Sequence, residues 1–449
     1  MTVTTQAAEQ PAAVATGDQP AVTRPMERER STPAALDKFI RAQALNTTRH
    51  VASLRPFRPD EFGAGPASPS AAHIQAANEL VADLRRRLHK LAVSVSQAAA
   101  ASADAPTHAN LQTLNVLKEQ AGNGVKFVEK TWDFYLELFG QRQARFADWL
   151  LACDRIALEC YQAVYTGLDT ARSIPSPGPL CYMATGFTPS TYRRGVALSK
   201  LGKRANPFPV IQLPYHRLIN PWTLGAVHHE VSHNIQSDLG LWDEVPRRIT
   251  RRLREADVEP EVYHIWARWH KEIWADLCGL LLGGPSNVAS LIDVVAMSPD
   301  STMSFNAEGV HPTSYLRVLI SVELLRRMGF VEQAARFHRM WVRMYPSPRE
   351  SSIPRAMLDT FPWANALVVD TICFQPYQQL GGKSLAQVVC FRPTHEQMTA
   401  EAAARIAGGT DPGIIPARFL VGAARWAVDH ELAPPGRIAR NFYQALVRR

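Results

Sequence analysis

Apolar residues recur at three- and four-residue steps through most of this chain, most clearly at 142–169, RQARFADWLLACDRIALECYQAVYTGLD. There Phe146, Trp149, Leu150, Cys153, Ile156, Ala157, Cys160, Tyr161 and Val164 make one stripe, which predicts an amphipathic helix with that face buried. Two earlier segments, AAHIQAANELVADLRRRLHKLAVSVSQ and NLQTLNVLKEQAGNGVKFVEKTWDFYLELFG, follow the same period, so 71–172 is expected to be a helical domain. Residues 1–70 are rich in Pro, Ala, Thr and Ser. Only STPAALDKFIRAQAL is helix-like there, with Pro33 suited to a first turn. The remainder is expected to be a disordered or loosely docked tail, in preference to a propeptide or cleavable tether.

The segment SIPSPGPL, 173–180, breaks the helical pattern and marks a domain boundary. After it the period shortens, and YRRGVALSKLGKRANPFPVIQLPYHRL predicts a hairpin or two short strands around Gly202 and Asn206. Beyond 233 the pattern is helical again, interrupted at GGPS, MSPDSTMS, YPSPRE and GGTDPG. The expected fold class is therefore mainly α (α+β): a helical domain at 71–172, a core with a small β-sheet at 180–330, and a helical C-terminal region at 331–449.

With 449 residues, 46% of them apolar, the chain can bury a large core. No stretch approaches the eighteen or so uninterrupted apolar residues of a membrane span, and MTVTTQAAEQPAAVATGDQP has no basic start followed by an apolar block. These features predict a cytoplasmic protein with no membrane association. Cys153, Cys160, Cys181, Cys278, Cys373 and Cys390 form no C-x-x-C pair, so packing is their expected role. The net charge of +8 is modest for this length and does not call for nucleic acid as a partner.

The candidate chemistry lies in VHHEVSHNIQ, 227–236, where His229, Glu230 and His233 form H-E-x-x-H. On a helix, residues four apart share a face, so His229 and His233 can direct two imidazole nitrogens at one ion. Glu230 then stands beside the ion's open position, placed to take a proton from a water the ion has acidified to a pKa of about 7. The alternative is a plain helix with surface histidines. Two histidines and a water leave a zinc site incomplete, so a third ligand is required. An extended metzincin motif cannot supply it, because Gln236 and Leu239 stand where that pattern has Gly and His or Asp. In HKEIWADLCGLLLGG, Glu272 and Asp276 stand four apart on one helical face; Glu272 is the favoured third ligand, and Asp276 can accept an imidazole N–H and fix its tautomer. Glu255 and Glu259 are rival third ligands.

H-E-x-x-H followed by E-x-x-x-D resembles the gluzincin metallopeptidases, the thermolysin-like group among them. The resemblance implies a zincin-like catalytic core, zinc held by His229, His233 and Glu272, Glu230 as general base and Asp276 behind a ligand histidine. NAEGVHPTSYL, 306–316, is similar to that family's G-V-H segment. His311 would then steady the oxyanion, aided by Tyr315 or Arg317. Two departures stand out: the long gap between His233 and Glu272, and Asn306 where the family has an aspartate that orients this histidine. The family's substrate-binding Asn-Ala motif is absent upstream, and NPFPVIQLP is the candidate edge strand for a peptide substrate.

Between the two motifs, RRITRRLREADVEPE carries Arg247, Arg248, Arg251, Arg252 and Arg254, read either as a solvated basic face or as an exosite for acidic substrates or nucleic acid. His228 points about 100° away from His229 and is expected to be packed or at the surface. Trp242, Trp266, Trp269 and Trp274 read as core, with one of them able to line a pocket. The expected function is zinc-dependent hydrolysis of a peptide bond in a peptide or protein substrate. A zinc hydrolase of a non-peptide amide, and a binding or scaffold protein with a structural or vestigial zinc site, are the alternatives.

Overall fold

The computed structural model describes residues 28–169, 172–201 and 203–449. Residues 1–27, the first part of the expected tail, residues 170–171 and Gly202 lie outside them. The protein is mainly helical with a small mixed sheet. The order of elements is α1 (Arg28–Ser53), α2 (Ala71–Asp104), α3 (His108–Gly140), α4 (Ala147–Gly167), β1 (Leu180–Ala184), β2 (Ser190–Tyr192), β3 (Ala197–Leu198), β4 (Arg204–Ala205) and β5 (Val210–Pro214). Helices follow to the end: α5 (Tyr215–Ile219), α6 (Gly225–Asp238), α7 (Glu244–Glu255), α8 (Pro260–Gly283), α9 (Ser286–Val295), α10 (Pro299–Thr302), α11 (Ser314–Arg327), α12 (Val331–Met344), α13 (Arg355–Cys373), α14 (Leu385–Val388), α15 (Pro393–Gly408), α16 (Leu420–Asp429) and α17 (Pro435–Val447). Among the described residues no helix is long and apolar enough to cross a membrane.

Contacts divide the chain into two units, at places other than the Pro-rich break at 173–180. The smaller takes in α1 and the 87–125 portion of α2 and α3, with Ile40, Val95, Ala99, Leu114 and Ala121 as its core. The segment read as a tail with one helical patch thus includes a 26-residue helix, within which Pro33 lies in the second turn rather than the first. The apolar positions Leu36, Ile40 and Ala44, four apart, give that helix a face to bury.

The larger unit comprises 54–86 and 126–449 and holds the motif residues. Its three-stranded sheet has the order β1-β5-β2, with β1 parallel and β2 antiparallel to β5. Both faces of the sheet are covered, and the period of two in the sequence shows how. Leu180, Tyr182 and Val210 join an aromatic core with Phe134, Tyr135, Phe139 and Phe208, whereas Cys181, Ile211 and Leu213 join the main helical core. The expected hairpin forms as β3 against β4, two residues each, with Lys203 in the left-handed region at φ 61°. One expectation is corrected. The segment Val210–Pro214 is the central strand of the sheet, so it has no free edge to offer a substrate; the edge strands are β1 and β2, each with β5 on one side only.

Helix α4 buries nearly the whole expected stripe, Leu150, Cys153, Ile156, Ala157, Cys160, Tyr161 and Val164, with Phe146 and Trp149 half-buried at its start. The C-terminal helices contribute Leu385, Ala403, Leu420, Val421 and Phe442 to the same core, so 331–449 is packed into the body that carries the motif. In α7, Val245, Ile249 and Leu253 are buried at four-residue spacing. Its basic positions do not make one free face: Arg248 pairs with Glu244 at 2.6 Å and lies over the Tyr377 ring, and Arg252 pairs with Asp370 at 2.6 Å.

Candidate metal centre

Helix α6 carries the H-E-x-x-H residues because its two faces differ. Val227, Val231 and Ile235, four apart, are fully buried in the core and fix the rotation of the helix. That rotation turns His229, Glu230 and His233 toward α8. Gly240, at φ 71°, ends the helix one residue beyond its last turn, in a conformation that glycine adopts without strain. Helix α8 is apolar nearly all round, burying Trp266, Trp269, Ile273, Trp274, Leu277, Leu280 and Leu281. Glu272 and Asp276 are the acidic positions on its otherwise sealed middle, and burying two carboxylates there requires partners of opposite charge.

Close packing of α6 on α8 supplies those partners. A Cβ at Gly283 would lie 2.5 Å from His228 Nδ1, so the glycine is what admits the buried His228 ring, whose Nδ1 sits 3.0 Å from Asn287 Oδ1. His228 is therefore a packed residue. With the helices at this separation, His229 Nε2 and His233 Nε2 are 3.1 Å apart, their rings at 88°. Glu272 Oε2 lies 3.5 Å from His229 Nε2, and Oε1 lies 3.7 Å from His233 Nε2. Behind them His229 Nδ1 is 2.8 Å from Asp276 Oδ1, so a carboxylate backs this ring on the side away from the cluster. Arg317 donates two bonds to Asp276, from Nε at 2.5 Å and from an NH2 nitrogen at 2.9 Å, and stands 3.5 Å from Glu272.

The electrostatics follow from burial against charge. Burial alone would lower the His229 imidazole, but Asp276 at Nδ1 and Glu272 outweigh it and raise it to about 10. Burial, with the charge on His229, lowers His233 to about 3. Burial raises Glu230 to about 7, near the range suited to a general base. Glu272 resists the upward push of burial because His229, His233 and Arg317 hold it well below the ordinary carboxylate range, and Arg317 with His229 lowers Asp276 against the same push.

A tetrahedral ion with nitrogen and oxygen ligands at about 2.0–2.1 Å would separate them by about 3.3–3.4 Å. The observed triangle of 3.1, 3.5 and 3.7 Å fits such an ion, and two imidazoles with one carboxylate are a donor set that zinc takes. His229, His233 and Glu272 are the group of donors among the described residues close enough to share one ion. Glu255 and Glu259 are exposed and outside the cavity, so neither is a third ligand.

The cluster opens into a cavity of about 370 Å³ between α6, α8, α9 and β2. Its lining is apolar at Ala226, Leu280, Val288, Leu291 and Val294 and polar or cationic at Ser190, Thr191, Arg193 and Lys271. The remaining residues expected from the sequence divide. His311, in the loop before α11, is exposed, and its Nε2 is 3.5 Å from Glu272 Oε1 at the cavity mouth. Arg317 reaches the cluster from behind, locked to Asp276 instead of facing a substrate. Tyr315 is buried away from the cavity, its carbonyl accepting the Trp341 indole N–H, and has no place in the site. Asn306 Oδ1 accepts from the Glu308 N–H and closes a turn.

Of the four tryptophans, Trp266, Trp269 and Trp274 are core and Trp242 lines the cavity. Arg193, Lys271 and Asn287 escaped the sequence reading, since nothing in local pattern distinguishes them from surface positions. No protein-family model matches the chain, and no curated protein or solved structure matches it.

Proposed function

We propose that the chain is a zinc-dependent hydrolase of the gluzincin type that cleaves peptide bonds. The observation that carries the reading is the convergence of Glu272 and Asp276 on the two motif histidines from a separate helix, at distances suited to one ion and one supporting carboxylate. A zinc ion held by His229, His233 and Glu272 would polarise the scissile carbonyl and acidify a water at its open position.

The chain's own residues do the rest. Glu230, buried and raised to about 7, accepts the water's proton and can pass it on to the leaving amine. Asp276 holds the His229 tautomer, and Arg317 balances the two carboxylates so that both stay ionised. His311 at the cavity mouth is placed to donate to an oxyanion. Peptide is favoured as substrate because β2, free along one edge, lines the cavity through Ser190 and Thr191, and an extended chain can pair with such an edge. A small non-peptide amide is the second reading, favoured by the cavity volume of about 370 Å³, which lies within the range of small-ligand pockets.

The test is metal content by plasma mass spectrometry on untagged wild type and His233→Ala, followed by cleavage of a mixed peptide library by wild type and Glu230→Gln. One zinc per chain lost in His233→Ala, with cleavage abolished in Glu230→Gln, is the expected result. A well-folded wild type that takes up no zinc when zinc is offered would sink the reading.

A further inference from the structure

Two cations in the lining of the cavity, Arg193 and Lys271, have no ion pair among the described residues. Arg193 follows β2, and its guanidinium carbon lies 3.4 Å from the centroid of the Trp242 ring. At that height the group lies over the face of the indole, a cation–π contact that occupies no hydrogen-bond acceptor. Its hydrogen bond is a long one, 3.5 Å to Ser237 Oγ. Lys271, next to Glu272 on α8, lines the same cavity. Among the described residues no carboxylate comes within ion-pairing distance of Arg193 or Lys271, while Arg248, Arg252, Arg317, Arg327, Arg418 and Arg425 all have acidic partners.

Desolvation is the dominant influence on Arg193 and works against its charge. A half-buried guanidinium that rests over an indole and is left with open donors is suited to a planar anion entering from the cavity.

The position sets the register. Thr191, two residues before Arg193, has its hydroxyl 2.7 Å from Asn234 Nδ2, beside His233. Ser237 is one turn beyond His233 on α6, about 6 Å along the axis. An extended substrate advances about 3.3–3.4 Å per residue, so a group held by Arg193 lies within about two residues of the bond presented to the cluster.

Resting on the peptidase reading, we propose that Arg193, held by Trp242 and assisted by Lys271, selects substrates that carry a carboxylate within two residues of the cleaved bond. The carboxylate is either an Asp or Glu side chain or a free chain terminus. The net charge of +8 draws such substrates toward the protein as a whole.

The experiment separates this proposal from the peptidase reading by measuring binding apart from turnover. Zinc-loaded Glu230→Gln protein is titrated with peptides in which Asp or Asn is placed at each position, with the C-terminus free or amidated. The titrations are repeated in Glu230→Gln/Arg193→Gln and Glu230→Gln/Arg193→Lys proteins of verified zinc content. The expected result is an Asp-over-Asn or acid-over-amide preference of roughly tenfold to a hundredfold at one position, the range for a charge-assisted bond. That preference falls to near unity in the Gln variant and is only partly kept by Lys, which lacks the fork. The position at which it occurs tells side chain from terminus. Wild-type cleavage with no such preference, a preference that survives Arg193→Gln, or no binding of acidic peptides to the zinc-loaded protein would each overturn the proposal. A preference that depends on Arg193 in a protein that cleaves no peptide would keep the anion site and remove the peptidase reading instead.

Discussion

His229 Nδ1 lies 2.8 Å from Asp276 Oδ1, a contact between a histidine of α6 and an aspartate of α8 separated by 46 residues in the chain. It joins the candidate metal ligands to the ion pair behind them, because the same carboxylate takes two bonds from Arg317. Ligand orientation and charge balance therefore depend on one side chain.

Asp276→Asn keeps the shape and removes the charge. The amide can present its nitrogen to His229 Nδ1 and so permit the wrong tautomer, and zinc affinity is expected to fall about 10- to 100-fold. Competition with a chromophoric chelator measures this; an unchanged affinity would show that Asp276 does not orient the ligand.

Arg317→Ala leaves Glu272 and Asp276 facing each other without their counter-charge. Both side chains are almost inaccessible, so metal-free protein is expected to lose about 3–5 kcal/mol of stability. Zinc supplies positive charge to the same carboxylates, so the loss should shrink when the ion is bound. Urea unfolding with and without zinc distinguishes this from a role at the oxyanion, which would leave stability unchanged and lower turnover alone.

Gly283→Ala tests the helix separation on which the cluster depends. The added methyl would sit 2.5 Å from the enclosed His228 ring and 2.8 Å from Asn287 Oδ1, so α6 and α8 must part, at about 1–3 kcal/mol and with weakened zinc binding. Gly122→Ala in α3, where nothing lies within 4 Å, should instead gain about 0.5–1 kcal/mol. Thermal unfolding of the two variants should move in opposite directions.

A pH dependence is expected from His73. Its ring is buried against Phe208, with Nε2 3.0 Å from the Gly178 carbonyl and Nδ1 2.7 Å from Ser70 Oγ, and burial lowers its pKa. The folded state thus binds the proton less readily than the unfolded chain. The contribution is complete above the unfolded value of about 6.5 and is lost as pH falls from there through the lower folded value. His73→Gln should flatten the decline in stability between pH 7 and pH 5; a slope unchanged by the substitution would rule His73 out as its source.

Much of the site was legible in the chain because its signals are local. The spacing of His229 and His233 places both on one face of any helix they occupy, and Glu272 with Asp276 repeats that step on another. The helices are equally local: Leu150, Cys153, Ile156, Cys160 and Val164 can be buried together in no other regular conformation. The long helix α1 was only partly visible, since STPAALDKFIRAQAL shows a shorter run than the helix that forms.

Sequence alone thus determined the mainly helical fold, the pairing of two histidines with a glutamate between them, and the short list of carboxylates able to join them. Tertiary structure decided which carboxylate did. Glu272 meets the histidines because glycine at 283 lets α6 and α8 approach; Glu255 stays in solvent because Val245, Ile249 and Leu253 turn the other side of α7 to the core, and Glu259 is exposed at the start of α8. It likewise placed β5 at the centre of the sheet, sent Arg317 behind the cluster, buried Tyr315, and set Arg193 on Trp242. Those outcomes rest on which faces touch across tens of residues, a property of packing between elements that the period of any single element does not contain.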